Sequence, residues 1–167
     1  GHASGPPMRL ETRRFGNPAQ PITIINDAYN ANPESVRAAI ETLVQTPVAC
    51  PHGRRVIVLG DMGELGDAAP RLHRTMGHLI AQHGPGFQGL STARIHLAVF
   101  VGRLSISAAD ALVATWPHRS VCAFAEWDQG AVQAVVRLLE PGDVVLLKAS
   151  RAMRLERIVD AVAMRFG

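Results

Sequence analysis

Short runs of apolar and β-branched residues alternate along the chain with longer segments in which apolar residues recur at helical spacing. An apolar run bounded by turn residues is typical of a buried strand, and apolar residues three or four positions apart are typical of a helix packed on one side. These runs predict strands over residues 22–25, 55–59, 95–101, 120–125 and 144–147, and a loose alternation of apolar and polar residues predicts an edge strand over residues 8–14. The helical spacing predicts helices over residues 33–45, 69–83, 107–116, 128–139 and 153–164, with Asn32 as the N-cap of the first helix.

Strand and helix therefore alternate from residue 22 onward, in units of about thirty residues. This order is typical of right-handed β-α-β crossovers, which build a mostly parallel sheet with helices on both faces. We predict a Rossmann-like, three-layer α/β domain of about six strands, in which the N-terminal edge strand pairs antiparallel. The pattern leaves the strand order open.

The length and composition are those of one globular domain: 167 residues, 47% hydrophobic and 19% charged. Residues 1–7 are rich in glycine and proline, and we interpret them as an interdomain linker or the remnant of a cleaved tag. We expect the folded domain to occupy residues 8–167.

Charge and cysteine content restrict the function further. The net charge is +3 and the arginines are scattered, which argues against nucleic-acid binding. No apolar run reaches the roughly 18–20 residues of a membrane span, and two cysteines cannot form a disulfide framework, so we expect a cytoplasmic protein. Lys148 is the only lysine among 17 basic residues, which makes its position worth noting.

Polar residues follow the predicted strands, at residues 26–33, 60–64, 102–103, 126–127 and 148–151. Ligands of open α/β sheets bind beyond the carboxyl ends of the strands, so these loops form the candidate site. Structural roles compete with functional ones: Asn32 caps a helix in either case, and Asp27 could hold its own loop by hydrogen bonds to backbone. We interpret Asp61 and Glu64 as ordinary loop carboxylates.

The histidines do not indicate a metal site. His73 lies among apolar residues of its helix and is interpreted as a core-edge histidine with satisfied hydrogen bonds, while His78 and His83 have no cysteine or carboxylate at metal spacing. Cys122, in the middle of a strand, is expected to be buried and inert. Arg154, Glu156 and Arg157 are expected to form a solvated helix face with weak ion pairs. The chain also has no Walker phosphate loop, dinucleotide fingerprint or Gly-x-Ser-x-Gly elbow.

Four ordered motifs resemble the C-terminal domain of the Mur ligases. They are DAYNANPES over residues 27–35, LGDMGELG over 59–66, Leu72-His73, and PGDVVLLK over 141–148 followed by Ser150-Arg151. The first motif is most similar to the family branch that joins D-alanyl-D-alanine to UDP-N-acetylmuramoyl-tripeptide. Ala149 and Ala152 stand where the family commonly has glycine.

The resemblance implies the last domain of a three-domain enzyme of peptidoglycan precursor synthesis. ATP and Mg²⁺ would be bound mainly by the central domain, and the UDP-sugar by the N-terminal one. The implied reaction is ATP-dependent amide formation through an acyl phosphate, with this domain closing over the nucleotide, positioning the dipeptide and being inactive alone. The resemblance assigns nucleotide binding to Asp27, Tyr29, Asn30 and Asn32, substrate binding to Lys148, Ser150 and Arg151, and neither catalytic residues nor metal ligands to this domain.

Two other interpretations stay open on the sequence alone. One is the C-terminal domain of another Mur-type or folylpolyglutamate-type amide ligase, against which the Tyr29–Asn32 element argues. The other is a non-catalytic, Rossmann-like nucleotide-binding module.

Overall fold

A single six-stranded sheet organises the computed structural model, which describes residues 10–85 and 94–167. The strands are β1 (Glu11–Phe15), β2 (Ile22–Asp27), β3 (Arg55–Gly60), β4 (Leu97–Val101), β5 (Val121–Phe124) and β6 (Val144–Lys148). Their spatial order is β1-β2-β6-β3-β4-β5, with β1 antiparallel to β2 and all other pairs parallel. The predicted mostly parallel sheet with an antiparallel N-terminal edge strand is confirmed.

In the described stretches of the chain, five α-helices cover the two faces of the sheet. They are α1 (Pro33–Gln45), α2 (Ala69–Ala81), α3 (Ile106–Val113), α4 (Gln129–Leu138) and α5 (Glu156–Phe166). One apolar core lies between the sheet and α1, α2 and α3, and a second lies between the sheet and α4 and α5. Because both faces are covered, the inner strands β3, β4 and β6 are buried almost throughout, as their continuous apolar sequences predict. The three-layer prediction is therefore confirmed.

The final helix begins later than the apolar spacing predicts. A short 3₁₀ turn, Arg151–Met153, follows β6, and Arg154 then adopts a left-handed φ of 53°, which delays α5 until Glu156. The prediction that Arg154, Glu156 and Arg157 share one solvated helix face is wrong, although the expected weak ion pair between Arg154 and Glu156 is present at 3.9 Å. Arg154 lies outside the helix, and the Arg157 guanidinium stacks 5.4 Å from the ring centroid of Trp127.

The remaining element bounds differ from the predicted ones by a few residues. The strand predicted from residue 8 starts at Glu11, with residues 1–9 outside the described part, so the interpretation of residues 1–7 stays a prediction. The strand predicted to end at residue 25 continues to Asp27, which puts that carboxylate on the strand itself. In the two described stretches, no helix has the length and apolar character to cross a membrane.

Candidate functional site

The carboxyl ends of β2, β6 and β3 lie side by side in the middle of the sheet. The three longest motifs of the sequence end at or follow these strands, and the strand order brings the carboxyl ends together at one edge. Asp27 is the register partner of Lys148, and Lys148 is in turn the partner of Leu59 on its other side. The predicted edge is therefore a contiguous surface.

A buried ion pair joins two of the predicted site residues. Lys148 Nζ donates to Asp27 Oδ2 at 2.9 Å, and the two residues are 3% and 8% exposed. Two opposite charges removed from water in this way must compensate each other's desolvation, so each side chain fixes the position of the other. The family resemblance assigns the two residues to different ligands, and nothing in the sequence indicates that they contact each other.

The loop after β2 uses its asparagines to hold its own backbone. Ser35 N–H donates to Asn32 Oδ1 at 2.8 Å, and Asn32 N–H donates to Ser35 Oγ at 3.0 Å, which makes a reciprocal capping box at the start of α1. Asn30 Oδ1 accepts from Ala31 N–H at 2.9 Å. The predicted capping role of Asn32 is confirmed, and the ligand roles of Tyr29, Asn30 and Asn32 stay predictions.

The loop after β3 is fixed by Asp61. Its Oδ1 accepts hydrogen bonds from both the backbone N–H (2.9 Å) and the hydroxyl (3.0 Å) of Ser105, and its backbone carbonyl accepts from Ser150 N–H at 2.9 Å. Asp61 thereby links the ends of β3, β4 and β6. Gly102 makes this close approach possible, since it has a φ of +100° and a Cβ there would lie 2.4 Å from Asp61 Oδ1.

His73 anchors the same loop from α2. It is fully buried; its Nε2 accepts from Met62 N–H at 2.9 Å, and its Nδ1 lies 2.7 Å from the Ala69 carbonyl. The Met62 donor requires an unprotonated Nε2, so the ring is the neutral tautomer with its proton on Nδ1, donated to Ala69. The interpretation of His73 as a histidine with satisfied hydrogen bonds is confirmed.

Among the described residues, one cavity at this edge includes the ion pair in its lining, and another is lined by the loops after β2, β3 and β6. The first, here called the Asp27 cavity, has a volume of about 230 Å³ and is lined by Leu10, Asp27, Ala38, Ala39, Thr42 and Lys148. The second, here called the Arg151 cleft, has a volume of about 270 Å³ and is lined by Asn30, Gly63, Glu64, Ser150, Arg151 and Ala152. This division cuts across the predicted one, since Lys148 lies with Asp27 and Asn30 lies with Ser150 and Arg151.

Sequence reasoning missed several of the cavity-lining residues. Leu10 and Thr42 carried no chemical signal, and Glu64 was interpreted as an ordinary carboxylate although it belongs to a quoted motif. The methyl group of Ala149 is fully buried, and a Cβ on Gly60 would lie 2.6 Å from it. Ala149 therefore makes glycine necessary at position 60, a constraint between neighbouring strands that becomes visible only once their order is known.

Resolved pKa shifts occur away from these cavities. Burial raises the pKa of the Cys122 thiol, which favours its protonated, unreactive form, although Cys122 is half-buried rather than fully buried as predicted. Burial, followed by the charges of Arg55 and Arg54, lowers the pKa of His96. His96 Nδ1 accepts from Arg55 N–H at 3.0 Å, so its neutral form is part of the fold at the opposite end of β3.

A comparison with protein families identifies the domain. The model described as "Mur ligase, glutamate ligase domain" matches residues 8–151. The chain belongs to the Mur ligase family. Within it, the domain is of the MurF type: it is 36% identical over 152 residues to the UDP-N-acetylmuramoyl-tripeptide–D-alanyl-D-alanine ligase of Bacillus subtilis, covering 91% of this chain and 30% of that protein.

A further sequence relative and a solved structure are also of the MurF type. The ligase of the same name from Mycobacterium tuberculosis H37Rv is 36% identical over 168 residues, covering 93% of this chain and 30% of that protein. A crystal structure of MurF from Acinetobacter baumannii superposes with a TM-score of 0.75 at 26% identity, covering 98% of this chain and 32% of that one. The domain thus spans about a third of the length of the relatives that it matches.

Proposed function

We propose that this domain is the C-terminal part of an ATP-dependent ligase that joins D-alanyl-D-alanine to UDP-N-acetylmuramoyl-tripeptide in peptidoglycan precursor synthesis. The observation that carries the proposal is the meeting of the motif-bearing loops at the carboxyl edge of β2, β6 and β3, around a buried ion pair and two cavities. The names of the MurF relatives support the choice of substrates.

The nucleotide is proposed to meet the loop after β2. Asp27 would accept hydrogen bonds from ribose hydroxyls, since a carboxylate has about four acceptor positions and only its bond to Lys148 is needed for the ion pair. Tyr29, Asn30 and Asn32 would border the nucleotide on the same loop. Lys148 lies in the Asp27 cavity, so any substrate group that it contacts must enter there.

The dipeptide is proposed to bind in the Arg151 cleft. Ser150 offers a hydroxyl and Arg151 a guanidinium, and both groups suit a carboxylate ligand. Holding the dipeptide against an acyl phosphate on the remainder of the enzyme would make amide formation effectively unimolecular. Closure of the domain would also exclude the water that hydrolyses such an intermediate.

The location of ATP and Mg²⁺ in the whole enzyme is a further part of the proposal. In the described part of the chain, no three His, Cys, Asp or Glu side chains are grouped so as to hold a metal. Following the family resemblance, we propose that ATP and Mg²⁺ are held mainly by other domains of the enzyme. On this proposal the isolated domain has no ligase activity.

The proposal can be tested on the domain itself by amide NMR, with ADP and D-Ala-D-Ala added separately at millimolar concentrations. We expect ADP to shift the amides of residues 27–32, and the dipeptide to shift those of residues 63–64 and 150–152. Shifts on other surfaces would contradict the assignment.

A chimera tests the proposed activity directly. The corresponding third of the B. subtilis ligase would be replaced by this domain, and D-Ala-D-Ala-dependent ADP release measured. We expect turnover by the chimera and a raised KM for ATP in its Asp27→Ala variant. An unchanged KM and kcat would refute the ribose role of Asp27, and a folded chimera that binds both substrates without turnover would refute the proposed ligase function.

A further inference from the structure

The Arg151 cleft carries charges of both signs. Arg151 comes from the turn after β6 and Glu64 from the loop after β3, and both line the same volume of about 270 Å³. Pockets for drug-sized ligands start at about 300 Å³, so this cleft suits a smaller molecule. Gly63 and Ala152 also line the cleft, and these small residues leave space next to the side chains of Glu64 and Arg151.

Glu64 is held at the cleft by the residues around it. Met62 is fully buried and Leu65 packs against the core, so the loop is anchored on both sides of the exposed pair Gly63 and Glu64. Met62 N–H is also bound by His73, at 2.9 Å. These contacts fix the backbone of the loop on both sides of Glu64, and so fix the position of Glu64 at the cleft.

The backbone of Glu64 has an unusual conformation. Its φ is +60°, in the left-handed region that non-glycine residues adopt only at an energetic cost. The neighbouring glycines show that the loop has residues suited to tight turns, yet a carboxylate occupies this position. Strain of this kind is tolerated where the surrounding structure fixes the residue, as the anchors on either side do here.

The opposite wall is tied to the same loop. Ser150 N–H donates to the Asp61 carbonyl at 2.9 Å, so the turn that carries Arg151 is joined by a hydrogen bond to the loop that carries Glu64. Arg151 Nη1 also lies 3.4 Å from Glu156 Oε1, which braces the guanidinium from α5. A guanidinium has five N–H donors, of which a bidentate carboxylate ligand uses two.

We propose that the Arg151 cleft recognises a free dipeptide as a zwitterion, with Glu64 binding its ammonium group and Arg151 its terminal carboxylate. The inference rests on the proposed function, because that function supplies a dipeptide whose two ends are charged. At pH 7 an α-amino group with a pKa near 7.7–8.0 is mostly protonated and an α-carboxyl group is ionised. Glu64 is thereby a specificity residue that fixes which end of the dipeptide points toward the loop after β3.

Three ligands test the two charges separately, with binding to the domain measured by NMR titration at pH 7. They are D-Ala-D-Ala, its N-acetyl derivative, which lacks the ammonium, and its C-terminal amide, which lacks the carboxylate. We expect each capped ligand to bind about tenfold more weakly than the free dipeptide, the loss of one charge-assisted hydrogen bond.

Variants of each residue then identify the partner of each charge. Glu64→Gln should abolish the preference over the N-acetyl ligand and keep the preference over the amide; Arg151→Gln should do the reverse. Asp67→Asn in the adjacent turn and Arg103→Gln at the same sheet edge are matched controls that should keep both preferences.

Three results would overturn the inference. Equal binding of free and capped dipeptides by the unsubstituted domain would show that the terminal charges of the dipeptide do not contribute to binding. Equal weakening of all three ligands by Glu64→Gln would assign that residue a merely structural role. Absence of any binding in the cleft, with ADP still bound at residues 27–32, would refute the dipeptide site while leaving the nucleotide part of the proposed function intact.

Discussion

Removing one partner of the Asp27–Lys148 ion pair should destabilise the domain strongly. In Lys148→Met the Asp27 carboxylate keeps its 8% exposure and loses the ammonium that lies 2.9 Å away. An uncompensated buried charge costs about 3–5 kcal/mol, a large part of the roughly 5–15 kcal/mol that stabilises an ordinary domain. We expect Asp27→Leu to cost a similar amount, because it leaves the 3% exposed lysine without its partner.

The double variant Asp27→Leu/Lys148→Met should be more stable than the sum of the two single effects predicts. It replaces both charges by apolar groups, so neither charge stays buried alone, and apolar replacement of a buried pair is often nearly neutral. Urea unfolding followed by far-UV circular dichroism gives all four free energies of unfolding, provided that the denaturant slope stays constant.

The Arg103–Glu126 pair supplies the control. Its side chains are 78% and 67% exposed, and exposed pairs contribute below about 1 kcal/mol, so Arg103→Met should have little effect. If Lys148→Met costs no more than this control, or if the two buried substitutions are additive, the assignment of a mutually dependent buried pair is wrong.

Three further predictions follow from the contacts around the site and at the opposite edge. His73→Phe should lower the free energy of unfolding by about 1–3 kcal/mol, because it leaves the buried Met62 N–H without an acceptor. His73→Gln offers a side-chain carbonyl to this N–H, so urea unfolding should show a smaller loss of stability for that variant. Gly102→Ala should lower the melting temperature, since its Cβ collides with the Asp61 carboxylate at a positive φ; an unchanged melting temperature would contradict the contact. Burial and the neighbouring arginines lower the pKa of His96 in the folded state, so the unfolded state binds a proton first as the pH falls below about 6.5. The free energy of unfolding should therefore decrease from that pH down to the lowered pKa of the folded state. His96→Gln should reduce this decrease, as measured by urea unfolding at pH 7 and pH 5.

The sequence predicted the fold class because the local signals agree with it. Apolar runs marked the parallel strands, a loose alternation of apolar and polar residues marked the edge strand β1, and Asn32 with Pro33 marked the start of α1. The start of α5 was missed because the left-handed turn at Arg154 interrupts the chain where the apolar spacing continues. No local pattern distinguishes that turn from the first turn of a helix.

The candidate edge was predictable, and its internal contacts were not. Residues that follow parallel strands must share one edge of the sheet, which placed Asp27 and Lys148 in the same region. Their ion pair joins residues 121 positions apart and depends on β6 lying next to β2, an order that periodicity does not reveal. The same reason explains why Glu64 was not grouped with Arg151, since their cleft requires β3 on the other side of β6.

The position of β6 also has a consequence for synthesis of the chain. β6 is the last strand to be translated, yet it separates β2 from β3 and forms hydrogen-bonded ladders with both. A nascent chain that ends before Val144 therefore has two unconnected half-sheets with open edges, which are prone to unwanted pairing. We therefore expect the domain to complete its fold only after β6 has left the ribosome. We also expect folding to be slow, because the sheet depends on contacts between distant parts of the sequence.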